Sequence, residues 1–147
     1  MVCLGNICRS PLAEGILKSK IQQQKLDWTV SSAGTGAYHA GDLPDPRSIA
    51  TALDHGIDIR DQRAQQIQRK DLEDYDLILT MDRSNYQNVL KLSNEAQLQK
   101  KVVPILDFAY PEEQREVPDP YWDDNGFTKV YKILDHATDA LLHQLLK

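Results

Sequence analysis

Cys3 and Arg9 bracket the stretch Cys3-Leu4-Gly5-Asn6-Ile7-Cys8-Arg9-Ser10, which puts a thiol and a guanidinium at the two ends of a short loop. Pro11 and a helical pattern follow directly, so the loop runs into a helix amino terminus. That arrangement suits a tetrahedral oxyanion. Consecutive backbone N–H groups turn inward, the helix dipole adds partial positive charge, and the planar fork of Arg9 clamps two oxygens. Gly5 permits a close backbone approach. The same field favours thiolate over thiol at Cys3 and makes it a nucleophile. A cysteine and an arginine at this spacing also arise by chance, and a structural cysteine near a surface arginine is the competing reading. Asp119, between Pro118 and Pro120, reads from its local sequence as an ordinary turn residue.

The elements that must carry these residues follow from periodicity. Leu12, Ile16, Leu17 and Ile21 recur at helical spacing, with Ser10 as expected cap and Pro11 at the first helical position. Trp28 to Ser32 reads as a strand, and Gly34 to Asp45 as a functional loop. Pro46 to His55 reads as a helix closed by Gly56 in the left-handed conformation. Leu77 to Met81 is a buried-strand run, Tyr86, Val89 and Leu90 lie on a helix, and Val102 to Leu106 repeats the strand signal. Val130, Ile133, Leu134, Ala137, Leu141, Leu142 and Leu145 form one long apolar stripe. Strands alternating with helices predict a single-domain α/β fold over residues 1–147. Its sheet is expected to be doubly wound, four-stranded and mostly parallel, with helices on both faces and the phosphate loop after strand 1.

Composition bounds the rest. The chain has 147 residues, 41% hydrophobic and 27% charged, as in ordinary globular domains. Its formal net charge of -5 argues against general affinity for nucleic acid or an anionic membrane, so any anion site must be local. No apolar run spans a bilayer and no signal-peptide order is visible, which makes the cytoplasm the expected location. The two cysteines, Cys3 and Cys8, do not resemble a disulfide framework and read as reduced thiols. The four histidines show no ligand spacing with them, so neither metal nor other cofactor is expected.

The whole string CLGNICRSP, completed by the distant Asp119-Pro120-Tyr121-Trp122, resembles the low-molecular-weight protein tyrosine phosphatases. The likeness extends through Ser31-Ser32-Ala33-Gly34, Pro44 to Arg47, His55-Gly56-Ile57 and Met81-Asp82 before Ser84-Asn85. It implies hydrolysis of phosphotyrosine and aryl phosphate monoesters through a cysteinyl-phosphate. In that scheme Cys3 is the nucleophile, Arg9 the transition-state clamp, and Asp119 the acid in the first step and the base in the second. Leu4, Gly5, Asn6, Ile7, Cys8 and Ser10 are the implied phosphate-binding positions, with Ser10 also easing departure of the sulfur. Asn6 and Ser32 are expected to hold the loop in shape. Tyr38, Tyr121 and Trp122 are expected to wall the cleft around a phenyl ring, against the alternative that they pack the core. Cys8 is the implied redox partner of Cys3, against the alternative of a small buried filler. Asp82 falls on a matching position but reads as a cap.

The resemblance also implies tyrosine-phosphorylated proteins as partners, a bacterial tyrosine kinase among them, and a monomer or weak dimer. Three functions stay open: a tyrosine phosphatase, an arginine phosphatase on the same scaffold, and a non-catalytic phosphopeptide-binding or thiol-sensing module. Ile7 favours the first, since arginine-directed relatives tend to carry threonine there. Arsenate reductases of this fold need further thiols, which two cysteines do not supply. Two departures stand out. Only Met1 and Val2 precede Cys3, so the central strand is expected to be truncated, and Gln62 replaces a histidine that supports the loop serine in animal members.

Overall fold

The computed structural model describes residues 1–147. Four short parallel strands, β1 (Val2–Cys3), β2 (Ala33–Gly34), β3 (Ile78–Thr80) and β4 (Val102–Pro104), form one sheet in the order β2-β1-β3-β4. The sheet is parallel throughout, where a mostly parallel one was expected. Helices α1 (Arg9–Gln24), α2 (Pro46–Asp54) and α6 (Gly126–Leu145) pack on one face. Helices α3 (Arg69–Asp74), α4 (Arg83–Leu90) and α5 (Ala96–Gln99) lie on the other. Successive strand residues divide between the two faces, as a period of two demands. Cys3 and Leu79 join the core under α1 and α6, whereas Val2 and Ile78 join Leu72, Val89 and Leu98 on the other side.

Three expectations are corrected. The strand expected at Trp28 to Ser32 forms instead at Ala33–Gly34, directly after that stretch, because on this side β1 offers ladder partners only to those two residues. What reaches further back is a single bond, from the Met1 amino terminus to the Ser31 carbonyl at 3.0 Å. Burial lowers the Met1 amino group to a pKa of about 6. The second correction concerns α1, which begins at Arg9 with Cys8 as cap residue, so Ser10 is not its cap and Pro11 is its third residue. The third is at β4, which stops at Pro104, a residue without an N–H to donate, and Ile105–Asp107 continues as a 3-10 turn.

The other elements form for local reasons. Asp45 caps α2, its carboxylate accepting from the Arg47 N–H at 2.8 Å with Pro46 at the first helical position. The helix closes at Gly56, whose φ of 75° is readily adopted by a residue without Cβ. In α6 the expected stripe buries Val130, Leu134, Ala137, Leu141 and Leu142, which meet α1. No helix is long and apolar enough to cross a membrane.

Candidate active site

The loop from Leu4 to Cys8 leaves the carboxyl end of β1, the edge at which parallel α/β sheets place ligands. Its backbone is turned inside out by its neighbours. The Cys3 and Leu4 carbonyls accept from Thr35 and Gly36 N–H at 2.9 Å each, and the Ile7 carbonyl accepts from Asp45 N–H at 2.8 Å. The Cys8 carbonyl accepts from the Ser48 hydroxyl at 3.2 Å. With the carbonyls held outward, the N–H groups of Gly5, Asn6, Ile7 and Cys8 have no acceptor within the protein. Donors left free beside a helix amino terminus form a nest for an anion. Closed packing enforces this shape. Gly34 lies against the loop so tightly that a Cβ there would meet the Leu4 oxygen at 2.7 Å.

Asn6 holds the turn. It adopts φ 59°, a left-handed conformation that asparagine tolerates better than most residues. Its buried amide donates to the Ser10 hydroxyl at 2.8 Å and the Ser32 hydroxyl at 3.0 Å, and its oxygen accepts from Gln65 N–H at 2.9 Å. Ser10 in turn lies 3.0 Å from Cys3 Sγ, so one chain of hydrogen bonds links sulfur, loop and β2 flank. Gln62 occupies the place where support looked uncertain. It donates to the Pro11 carbonyl at 3.0 Å and accepts from Ser32 at the long distance of 3.5 Å.

Arg9 is 2% exposed, and its Nη1 donates to Asp82 Oδ2 at 2.7 Å and to the Val117 carbonyl at 3.0 Å. Its Nη2 lies 3.9 Å from Asp119 Oδ2. Asp82 therefore does more than the capping expected of it. One oxygen caps α4 through Asn85 N–H at 2.8 Å, while the other anchors the guanidinium. Asp119 is half-exposed, with Oδ1 engaged by Tyr121 N–H at 3.1 Å and Oδ2 facing Arg9.

Cys3, Arg9 and Asp119 share one cleft of about 280 Å³. Cys3, Leu4, Gly5, Ile7, Cys8 and Arg9 form its floor, and Tyr38, His39, Asp119, Tyr121 and Trp122 its walls. Tyr38 and Trp122 are 78% and 89% exposed, which rules out the core-packing alternative for both. Ile7 and Cys8 back onto Ala64 and Phe127. Burial, reinforced by the negative charges of Asp45, Cys3 and Asp119 and opposed by Arg47, pushes the Cys8 thiol up to about 12. Both cysteines are free. His39 in the cleft wall, and the anchoring of Arg9 by Asp82, are what the sequence reading did not assign. His39 sits beside Tyr38 in the turn-rich loop, and Asp82 ends a strand that pairs with β1, so position in the fold was the available signal for each.

The family model for low molecular weight phosphotyrosine protein phosphatase matches residues 1–147. A human protein of that description is 37% identical over 146 residues, covering 97% of this chain and 92% of that one. A crystal structure of a protein tyrosine phosphatase from Entamoeba histolytica, with Hepes in its active site, superposes with a TM-score of 0.91. It is 36% identical and covers 99% of this chain and 94% of its own. The structure of Vibrio vulnificus Wzb in complex with benzylphosphonate superposes with a TM-score of 0.84. It is 28% identical and covers 97% of this chain and 94% of its own.

Proposed function

The chain belongs to the low molecular weight phosphotyrosine protein phosphatases, and on that footing we propose how its own residues divide the hydrolysis of a phosphotyrosine monoester. Cys3 Sγ attacks phosphorus as the aryl oxygen leaves, and Asp119, protonated, gives its proton to that oxygen. Sulfur and phosphorus are then joined in a cysteinyl-phosphate. In the second step Asp119, now a carboxylate, takes a proton from water. The water oxygen bonds to phosphorus, the phosphorus–sulfur bond breaks and inorganic phosphate departs. The Ser10 hydroxyl, 3.0 Å from the sulfur, stabilises the departing thiolate.

The observation that carries this reading is the set of unpaired loop N–H groups converging with Arg9 around Cys3. Three equatorial oxygens of a transferring phosphoryl group find donors already in place, and donors that need not reorganise act most strongly on developing charge. The exposed faces of Tyr38 and Trp122 supply walls for a phenyl ring, and benzylphosphonate, the ligand of the Vibrio vulnificus neighbour, joins such a ring to a phosphoryl group. A phosphoserine side chain is too short to reach the floor. The partners are thus tyrosine-phosphorylated proteins, and two free thiols suit a reducing compartment such as the cytoplasm.

Hydrolysis of p-nitrophenyl phosphate by the wild type, Cys3→Ser and Asp119→Ala tests the assignment. The first change is expected to abolish turnover and the second to lower it by about 100-fold or more. Full activity in Cys3→Ser would refute it. Phosphotyrosine and phosphoarginine peptides then separate the two substrate classes.

The same loop supports a protective oxidation. Peroxide converts the Cys3 thiolate to a sulfenic acid, and the Cys8 thiol condenses with it to give a disulfide and water. Burial that holds the Cys8 thiol up to about 12 makes it a slow nucleophile, so its proton passes to the departing sulfenic oxygen as the sulfur–sulfur bond forms. Cys8→Ser should therefore recover poorly after peroxide and thiol reductant, and recovery equal to that of the wild type would exclude the exchange.

A further inference from the structure

The segment carrying Asp119 leaves the body of the protein at Val117 and meets Arg9 again through Asp119 Oδ2, 3.9 Å from Nη2. Val117 is fixed by its N–H to the Met81 carbonyl at 2.8 Å and by its carbonyl to Arg9. Beyond it, residues 118–125 are held by local turns, Asp123 N–H to the Pro120 carbonyl and Gly126 N–H to the Asp123 carbonyl, each at 2.9 Å. One hydrogen bond reaches this segment from outside it and the helix that follows: Arg47 Nη1 to Asp124 Oδ1 at 2.6 Å. The Arg47 guanidinium also stands 5.5 Å from the Tyr121 ring centroid and 4.5 Å from that of buried Phe127.

The other side of Arg47 faces the phosphate loop. Its Nε and Nη2 donate to the two oxygens of Asp45 at 3.0 and 2.9 Å. Asp45 N–H holds the Ile7 carbonyl, and Ser48, one residue beyond Arg47, holds that of Cys8. A single planar side chain thus spans the loop that binds phosphate and the segment that carries the proton donor.

We infer that Arg47 is a positioning residue, whose guanidinium sets the height of the 118–125 segment over the phosphate loop and so brings Asp119 to the leaving-group oxygen. The inference rests on the assignment of Asp119 as the acid. Arg47 is absent from the cleft lining. A lysine could not replace it, since one ammonium cannot bridge Asp45 and Asp124 while lying over two rings.

The test reads proton donation rather than overall activity. A phenol of low pKa departs without help, whereas one of high pKa needs the acid. The dependence of kcat/KM on leaving-group pKa therefore reports how well Asp119 is placed. We expect Arg47→Gln to lose about tenfold on phenyl phosphate and under twofold on 2,4-dinitrophenyl phosphate, as suits a donor displaced by a fraction of an ångström. Asp124→Ala should show the same steepening in weaker form. Its side chain is 85% exposed, so the change cuts the tie without threatening the fold. In an Asp119→Asn background both changes should lose their effect. Equal slowing of all aryl phosphates, or an undiminished loss in the Asp119→Asn background, would overturn the inference. If Asp119→Asn alone kept the wild-type slope, the acid assignment itself would fail and take the inference with it, whereas a steep slope there with a wild-type slope in Arg47→Gln would refute the inference only.

Discussion

Gly34→Ala should damage catalysis far more than stability, and the size of the effect follows from three distances. A Cβ at Gly34 would lie 2.7 Å from the Leu4 oxygen and 3.1 Å from both Asn6 N and Gly5 C, where ordinary contact begins at 3.4 Å. All three are backbone atoms of the phosphate loop, so no flexible side chain can give way. Gly34 cannot retreat either, because its N–H donates to the Gln65 carbonyl and its carbonyl accepts from Ile67, each at 2.8 Å. The loop must therefore move by about 0.7 Å at Leu4, the difference between 3.4 and 2.7 Å. Misplacement by about 1 Å costs on the order of 100-fold in rate, so a loss of about 10- to 100-fold in kcat/KM is expected.

Overpacking of this kind costs about 1–3 kcal/mol, offset by up to about 1 kcal/mol from the stiffer unfolded chain. At about 2.1 cal/mol/K per residue, the 147 residues give roughly 0.31 kcal/mol/K, so Tm should fall by less than about 10 °C. Steady-state kinetics on p-nitrophenyl phosphate, inhibition by inorganic phosphate and calorimetry measure the three quantities. A kcat/KM within twofold of the wild type, with unchanged phosphate inhibition, would refute the claim that Gly34 shapes the loop.

Asp82→Ala removes the partner of a guanidinium that stays buried and also uncaps α4. A lone buried charge costs up to about 3–5 kcal/mol, reduced here because the Asp82 side chain is 21% exposed, so a loss of about 2–3 kcal/mol is expected in urea unfolding. Asp82→Asn, which can still cap, should recover about 1 kcal/mol of it; an unchanged midpoint in both variants would remove Asp82 from the anchoring role. Ile7→Thr changes an apolar branched side chain on the cleft floor. It should shift the ratio of activities from phosphotyrosine toward phosphoarginine peptides, and an unchanged ratio would strip Ile7 of its part in selectivity.

How much the sequence disclosed depended on how local each determinant is. The loop from Cys3 to Arg9, the helix after it, the close of α2 at Gly56, the strand at Leu77 and the final apolar stripe all rest on neighbours within a few positions. Each was legible from spacing and residue type. The misread elements depended on partners elsewhere. Trp28 to Ser32 has strand composition, yet on that side β1 pairs with Ala33 and Gly34 instead. Ser10 has a capping side chain, but its hydroxyl is drawn to Cys3 and Asn6 instead. Helices α3 and α5 span six and four residues and bury one leucine each, Leu72 and Leu98, too little to produce a period. In the site, Asp82 meets Arg9 across 73 positions and Arg47 meets Asp124 across 77. No local pattern distinguishes a carboxylate that caps a helix from one that also anchors a guanidinium.

Asp82 also explains how an acidic chain, of net charge -5, keeps an anion site without a basic patch. Arg9 commits Nη1 to structure, donating to Asp82 and the Val117 carbonyl, while Nη2 lies only within 3.9 Å of Asp119. Nη1 fixes the plane, and Nη2 lies on the side of Asp119 in the cleft wall. A lysine would have to spend its single ammonium on one duty or the other. The carboxylates around Arg9 thus do not merely cancel its charge. In the proposed reaction they hold it in the orientation that phosphate needs, and the uncharged N–H groups of Gly5 to Cys8 supply the remaining attraction. The anion is attracted by local donors whose alignment, rather than net charge, sets the potential, so the protein can stay acidic overall and still hold a dianion at its centre.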